Sequence, residues 1–144
     1  MEKYKVLLVD DEAEVIEVIE QRIQWGDLGF TVVGNATNGV KALELVEKLQ
    51  PDVVITDIKM PYMDGLELSR RLNRDFQNIH IIIFTGFDEF EYAKEAVHLE
   101  VEEYMLKPIN ATELSDCLRR LKDTLDRERE EKLNVTRLEN YFNA

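Results

Sequence analysis

A chain of 144 residues, 44% hydrophobic and 33% charged, has room for one domain with a true core plus a modest appendage, and its balance excludes a disordered polymer. Its 18 basic against 30 acidic side chains give a formal charge of -12, which argues against nucleic-acid binding by this segment itself, since phosphate-backbone affinity comes from Lys and Arg. The single Cys117 excludes an internal disulfide framework, and no apolar stretch reaches the roughly 20 residues that a membrane-spanning helix needs.

Met1-Glu2-Lys3 runs straight into a strand-like segment with no signal peptide, so a soluble, cytoplasmic chain is expected. The first strand, Val6–Val9, ends in Asp10-Asp11-Glu12. Val15, Ile16, Ile19 and Ile23 then share a helical face expected to end near Trp25-Gly26, with Gly26-Asp27-Leu28-Gly29 as a turn. A short second strand covers Phe30–Gly34. Val40, Leu43, Val46 and Leu49 form the stripe of a second helix, stopped by Pro51. Val53–Thr56 is a third strand ending in Asp57, followed by a loop shaped by Pro61 and Gly65. A third helix starts at Asp64-Gly65 and carries Leu68 and Leu72.

A fourth strand, Ile79–Phe84, ends in Thr85. Asp88 as N-cap with Glu91 three residues on predicts a fourth helix through Ala93, Ala96 and Val97. The fifth strand, around Glu102–Leu106, is more polar at its start, as an edge strand can be, and leads into Lys107-Pro108. Asn110 and Glu113 cap a fifth helix with Leu114, Leu118, Leu121 and Leu125 on one face. Nine of the eleven residues from Lys122 to Lys132 are charged, and Leu133, Leu138 and Phe142 follow without a sustained heptad. We expect a domain over residues 1–122 and a helical linker or dimerising extension over 123–144 that leads to an absent domain. Continuous β-branched runs read as strands buried on both faces. Alternation with helices then implies right-handed βα units, giving an α/β fold with five parallel strands in a three-layer sandwich.

In such sheets ligands bind outside the carboxyl ends of the strands. One edge would then carry Asp10, Asp11, Asp57, Thr85 and Lys107. Clustered carboxylates need a neutralising partner, and Mg²⁺ is a natural one, held by carboxylates, water and a phosphate oxygen. Any one of these residues alone reads as a helix cap, a surface lysine or an ordinary strand threonine; the shared edge favours a site. Asp57 is the best nucleophile, because a carboxylate can accept a phosphoryl group. Lys107 and Thr85 would supply an ammonium and a hydroxyl to the incoming oxygens. Lys107-Pro108 is a candidate for a cis bond, with a trans proline opening the last helix as the alternative.

Val9-Asp10-Asp11-Glu12, Thr56 to Gly65, Phe84-Thr85-Gly86 and Tyr104-Met105-Leu106-Lys107-Pro108, in this order and spacing, resemble the receiver domain of two-component response regulators over roughly residues 3–122. Trp25 to Phe30 and Gly86 to Ala93 look like receivers found ahead of AraC-type DNA-binding domains. The resemblance implies a flavodoxin-like (βα)5 fold and a switch rather than an enzyme. It implies that Asp57 takes a phosphoryl group from a sensor histidine kinase, and that Asp11, Asp57 and the backbone carbonyl of Lys59 bind Mg²⁺ with help from Asp10. Lys107 would pair with the phosphoryl group. Thr85 would turn towards it, and Tyr104 would move inward from solvent in response. Phe87 would sit where side chains influence hydrolysis. The partners this resemblance implies are the kinase, an AraC-type output domain outside this chain and a second copy in a homodimer.

Three rival readings are weaker. A phosphatase that uses an aspartyl phosphate generally wants an acid two residues past the nucleophile, where Lys59 stands. A flavin or nucleotide carrier needs a phosphate-cradling loop after the first strand, where Asp10-Asp11-Glu12 would repel phosphate. A pure interaction module would take up no phosphoryl group at all.

Overall fold

The structure is a computed structural model, and it describes residues 2–86 and 100–143. Five strands form one parallel sheet: β1 (Tyr4–Val9), β2 (Phe30–Ala36), β3 (Val53–Asp57), β4 (His80–Thr85) and β5 (Glu103–Leu106), in the order β2-β1-β3-β4-β5. Helices α1 (Ala13–Arg22), α2 (Trp25–Leu28), α3 (Gly39–Leu49), α4 (Gly65–Asp75) and α5 (Ala111–Asn143) are the described helical elements. The helix expected from Asp88 lies outside the described residues.

Side chains along a strand alternate between faces, and β1 divides its apolar residues accordingly. Val6 and Leu8 join Ile16, Ile19, Leu114, Leu118 and Leu121 in one core, under α1 and α5. Leu7 and Val9 join Ala42, Val46, Leu68 and Leu72 in the other, under α3 and α4. The result is the three-layer α/β sandwich. Burying each such leucine or isoleucine stabilises the fold by roughly 1.5–3 kcal/mol, so the two cores set the sheet's position firmly.

Local chemistry sets the helix starts. Asp64 Oδ1 accepts from the Glu67 N–H at 2.8 Å, Asn38 Oδ1 from Lys41 at 2.8 Å, and Asn110 Oδ1 from Glu113 at 3.0 Å. The first helix ends earlier than its periodicity predicts. Ile23 is extended and buried in the α1–α5 core, and a separate single turn, α2, fills most of the segment expected as a turn. Gly29 closes that turn at φ 90°. There the backbone takes the left-handed form, and an added Cβ would lie 2.6 Å from Lys122 Cε. Strand β2 runs two residues past Gly34 to Ala36, and its pairing with β1 shifts register between Val6 and Leu7.

Helix α5 continues without a break for 33 residues, about 50 Å. Its apolar stripe is buried as far as Leu125, while Leu133, Leu138 and Phe142 are exposed. Contact with the sheet persists beyond residue 122: the Tyr4 hydroxyl donates to Asp126 Oδ1 at 2.6 Å, and the Arg129 guanidinium lies 4.3 Å from the Tyr4 ring centroid. No helix among the described residues is long and apolar enough to cross a membrane.

Candidate functional site

Parallel pairing sets Val9 level with Thr56, Asp57 with Phe84, and Thr85 with Leu106. The residues at the carboxyl ends of β1, β3, β4 and β5 therefore lie along one edge. Backbone bonds carry the alignment past the strand ends: Ile58 N–H donates to the Phe84 carbonyl at 3.1 Å and Lys107 N–H to the Thr85 carbonyl at 2.8 Å. The Lys107–Pro108 bond is cis.

The core of the site is a lysine shared by two buried carboxylates. Lys107 Nζ stands 3.2 Å from Asp57 Oδ1 and 3.3 Å from Asp10 Oδ2. Asp57 is 5% exposed and Asp10 is 3% exposed. Asp57 Oδ1 also accepts from Ile58 N–H, and Asp10 Oδ1 from Glu12 N–H, both at 2.9 Å. Two carboxylates against one ammonium leave an excess of negative charge in a poorly solvated place. Burial first, and then the neighbouring Asp10, push Asp57 up to about 6 against the pull of Lys107. Burial also raises Asp10, opposed by the Glu12 N–H and Lys107. For Lys107 burial alone would lower the ammonium, but Asp57 and Asp10 outweigh it and hold it above its ordinary value.

Asp10, Asp11 and Glu12 offer carboxylate oxygens that all lie within 4.8 Å of one another, with Asp11 and Glu12 open to solvent. A set of hard oxygen donors with uncompensated charge suits a hard divalent cation such as Mg²⁺. Glu12 was not among the expected ligands. Its signal was its place in the acidic run, but position alone could not separate a donor from a helix-start residue. Asp57 joins this trio through Asp10 and the shared Lys107. Lys59 follows buried Ile58 in the loop, with its side chain exposed.

Glycine is required where the loop after Asp57 turns back. Gly65 N–H donates to the Ile58 carbonyl at 2.6 Å, and a Cβ at Gly65 would lie 2.2 Å from the Asp57 carbonyl oxygen. Thr85 is wholly buried, and among the described residues neither its Oγ1 nor the Tyr104 hydroxyl has a hydrogen-bond partner. The Tyr104 hydroxyl is thus already enclosed, where an outward, solvated hydroxyl was expected. Desolvation raises its pKa accordingly. Phe87 lies outside the described residues.

Residues 6–119 match the family described as the response regulator receiver domain. This chain belongs to that family. The receiver is 42% identical over 125 residues to the uncharacterized transcriptional regulatory protein YesN of Bacillus subtilis, an overlap of 87% of this chain and 34% of YesN. It is 38% identical over 122 residues to the transcriptional regulatory protein HptR of Staphylococcus aureus, covering 85% of this chain and 48% of HptR. The chain therefore spans half or less of the length of these relatives. Among solved structures, the receiver domain of AraT, a response regulator from Geobacillus stearothermophilus, superposes with a TM-score of 0.84 at 40% identity, covering 88% of this chain and 98% of that one. A two-component transcriptional regulator AraC from Clostridium phytofermentans gives 0.81 at 30% identity, covering 88% and 98%.

Proposed function

We propose that this receiver is the phosphoacceptor switch of a two-component transcriptional regulator, and that Asp57 takes the phosphoryl group from a phosphohistidine of a sensor histidine kinase. The observation that carries this reading is the buried Asp57 carboxylate with Lys107 at 3.2 Å and Asp10 beside it. In the transfer an Asp57 oxygen forms the new P–O bond as the P–N bond to the donor imidazole breaks. Asp10, Asp11, Asp57 and the Lys59 carbonyl would hold Mg²⁺, with Glu12 close by. When bound, the ion supplies positive charge to the phosphoryl oxygens.

The phosphoryl group adds about -1.5 to -2 charges. Lys107 pairs with one of its oxygens, and Thr85 supplies to another its hydroxyl, which has no partner among the described residues. Tyr104, on β5 next to β4, senses the vacated space. Moving a two-state switch from 1:99 to 99:1 takes roughly 5.5 kcal/mol, which a few charge-assisted bonds of about 1.5–3 kcal/mol each can supply. The change reaches the output through α5. We assign an AraC-type DNA-binding domain beyond this chain, a cytoplasmic setting, and a homodimer as one form that the extension can support. The contacts of Leu125, Asp126 and Arg129 support moving the receiver's boundary from residue 122 to just past Arg129.

Intact-mass analysis with acetyl phosphate and Mg²⁺, followed by sizing of both forms, tests the proposal. One phosphoryl group per chain is expected, lost in Asp57→Asn and Asp57→Ala. Full labelling of either variant would disprove the assignment, and no labelling of the native chain would favour the pure interaction module.

A further inference from the structure

At the end of the sheet opposite Asp57, a second charged cluster joins three elements that the sequence gives no reason to connect. His80 opens β4, and its N–H donates to the Asp52 carbonyl at 3.0 Å. Its Nδ1 meets Glu102 Oε1, just before β5, and its Nε2 lies 3.1 Å from Glu128 Oε2 on α5. The imidazole is only 13% exposed, against 34% for Glu102 and 43% for Glu128. We propose that His80 is a pH-operated latch that fastens the C-terminal helix to the sheet.

A neutral imidazole has one N–H and one lone pair, so it can serve only one of two flanking carboxylates. Both bonds require the imidazolium. Once the ring loses a proton, one carboxylate faces a lone pair and the attraction becomes repulsion. Glu102 is anchored by its own N–H, which donates to the Ile81 carbonyl at 2.7 Å. Glu128 stands three residues beyond Leu125, the last buried apolar residue of α5, and is the freer of the two to leave.

The other flank of the helix is held differently. Asp126 accepts from the Tyr4 hydroxyl and, at 2.7 Å, from Lys122, while Arg129 covers the Tyr4 ring. Burial and Asp126 push the Tyr4 hydroxyl up to about 12, so this fastening stays closed where His80 titrates. The helix is thus pinned to β1 by a fixed clasp and to β4 by a titrating one. Opening the second leaves the helix from Glu128 onward held to the sheet by the first alone.

Among the described residues, the charged groups around His80 are Glu102 from the β5 lead-in, Glu128 from α5, and Glu100, which lines the same cavity of about 330 Å³. On the β3 side the Asp52 carboxylate accepts from Lys5 N–H at 2.8 Å, and Arg120 of α5 pairs with Glu103 at 3.1 Å. Burial alone would lower the imidazolium, but Glu102 and Glu128 outweigh it and raise it above its ordinary value. The latch is therefore closed below the unfolded histidine value and opens as pH rises through the higher folded one. None of this requires phosphoryl transfer, so its failure and that of the switch assignment are separate.

The test is an NMR titration of the full chain without a phosphodonor, reading the His80 ring and the amide-exchange protection of residues 126–132, corrected for intrinsic exchange. We expect a His80 midpoint above the ordinary 6.5 and a fall in protection of at least about threefold with the same midpoint. Glu128→Gln should lower the midpoint. His80→Gln should remove the pH dependence and also assign the signal, since the chain has two histidines. Tyr4→Phe should reduce protection at every pH and leave the midpoint in place. A midpoint at or below 6.5, or protection unchanged through it, overturns the proposal; should His80→Gln fail to fold, the native titration alone decides.

Discussion

Replacing Asp57 with Asn should make the unphosphorylated receiver more stable, because the site holds more negative charge than its one lysine neutralises. Asp57 titrates at about 6 in the fold against 3.8 for an ordinary aspartate. Ionising it in the folded protein therefore costs about 3 kcal/mol more than in the unfolded chain. Asn keeps an oxygen for the Ile58 N–H, and Lys107 keeps Asp10, so little else is lost. Allowing for relaxation and water, a gain of about 1–3 kcal/mol is expected near pH 7.5. The folded carboxyl holds its proton more tightly than the unfolded one. The destabilisation is therefore absent below the unfolded value, grows as pH rises through the window from 3.8 to about 6, and is complete above it. Urea unfolding of both proteins without divalent cations should show a higher midpoint for the variant near neutrality and no gap at about pH 3. Mg²⁺ should raise the native midpoint more than the variant's, since a ligand that binds only the folded state stabilises it. A variant no more stable than the native protein near neutrality, or a gap that persists in acid, would refute the charge-excess argument.

Gly65→Ala sets a Cβ 2.2 Å from the Asp57 carbonyl and 2.9 Å from Ile58 Cα, both backbone atoms. Overpacking of this kind costs about 1–3 kcal/mol, and we expect the upper end by urea unfolding, with acetyl phosphate labelling slowed at least about tenfold by the displaced carboxylate. Tyr104→Phe deletes a buried hydroxyl without a partner among the described residues, so stability should hold or rise by up to about 1 kcal/mol. Tyr104→Ala should keep Asp57 labelling and lose its coupling to oligomeric state or output; equal loss of both would remove Tyr104 from the switch. Leu125→Ala should cost about 2–5 kcal/mol as a core truncation, while exposed Leu133→Ala should stay within about 0.5 kcal/mol in the same unfolding assay. Similar values for the two would place Leu125 outside the domain.

Several structural features were legible because they depend on local pattern. Asp64 and Asn110 cap the helices that their spacing predicts, and the apolar runs of β1, β3 and β4 are buried on both faces. Other features were not, because they depend on distant partners. The end of α1 is set by Ile23 entering the core, although the 3.6-residue period alone would carry the helix to Trp25. The place of Glu12 in the acidic trio depends on how the chain turns after β1. The enclosed Tyr104 hydroxyl is decided by neighbouring elements, which β5 itself does not encode.

By itself the order of residues determined which groups stand at the strand ends, since period-2 burial and parallel βα units bring Asp10, Asp57, Thr85 and Lys107 to one edge wherever the strands pair in register. Only the folded chain decided how those groups share charge. One lysine lies between two buried acids at 3.2 and 3.3 Å, and that balance is a matter of distance and desolvation, which no linear pattern carries. The same holds at the opposite end. His80, Glu102 and Glu128 are separated by 22 and 26 residues in the chain and meet because β4, β5 and α5 pack together.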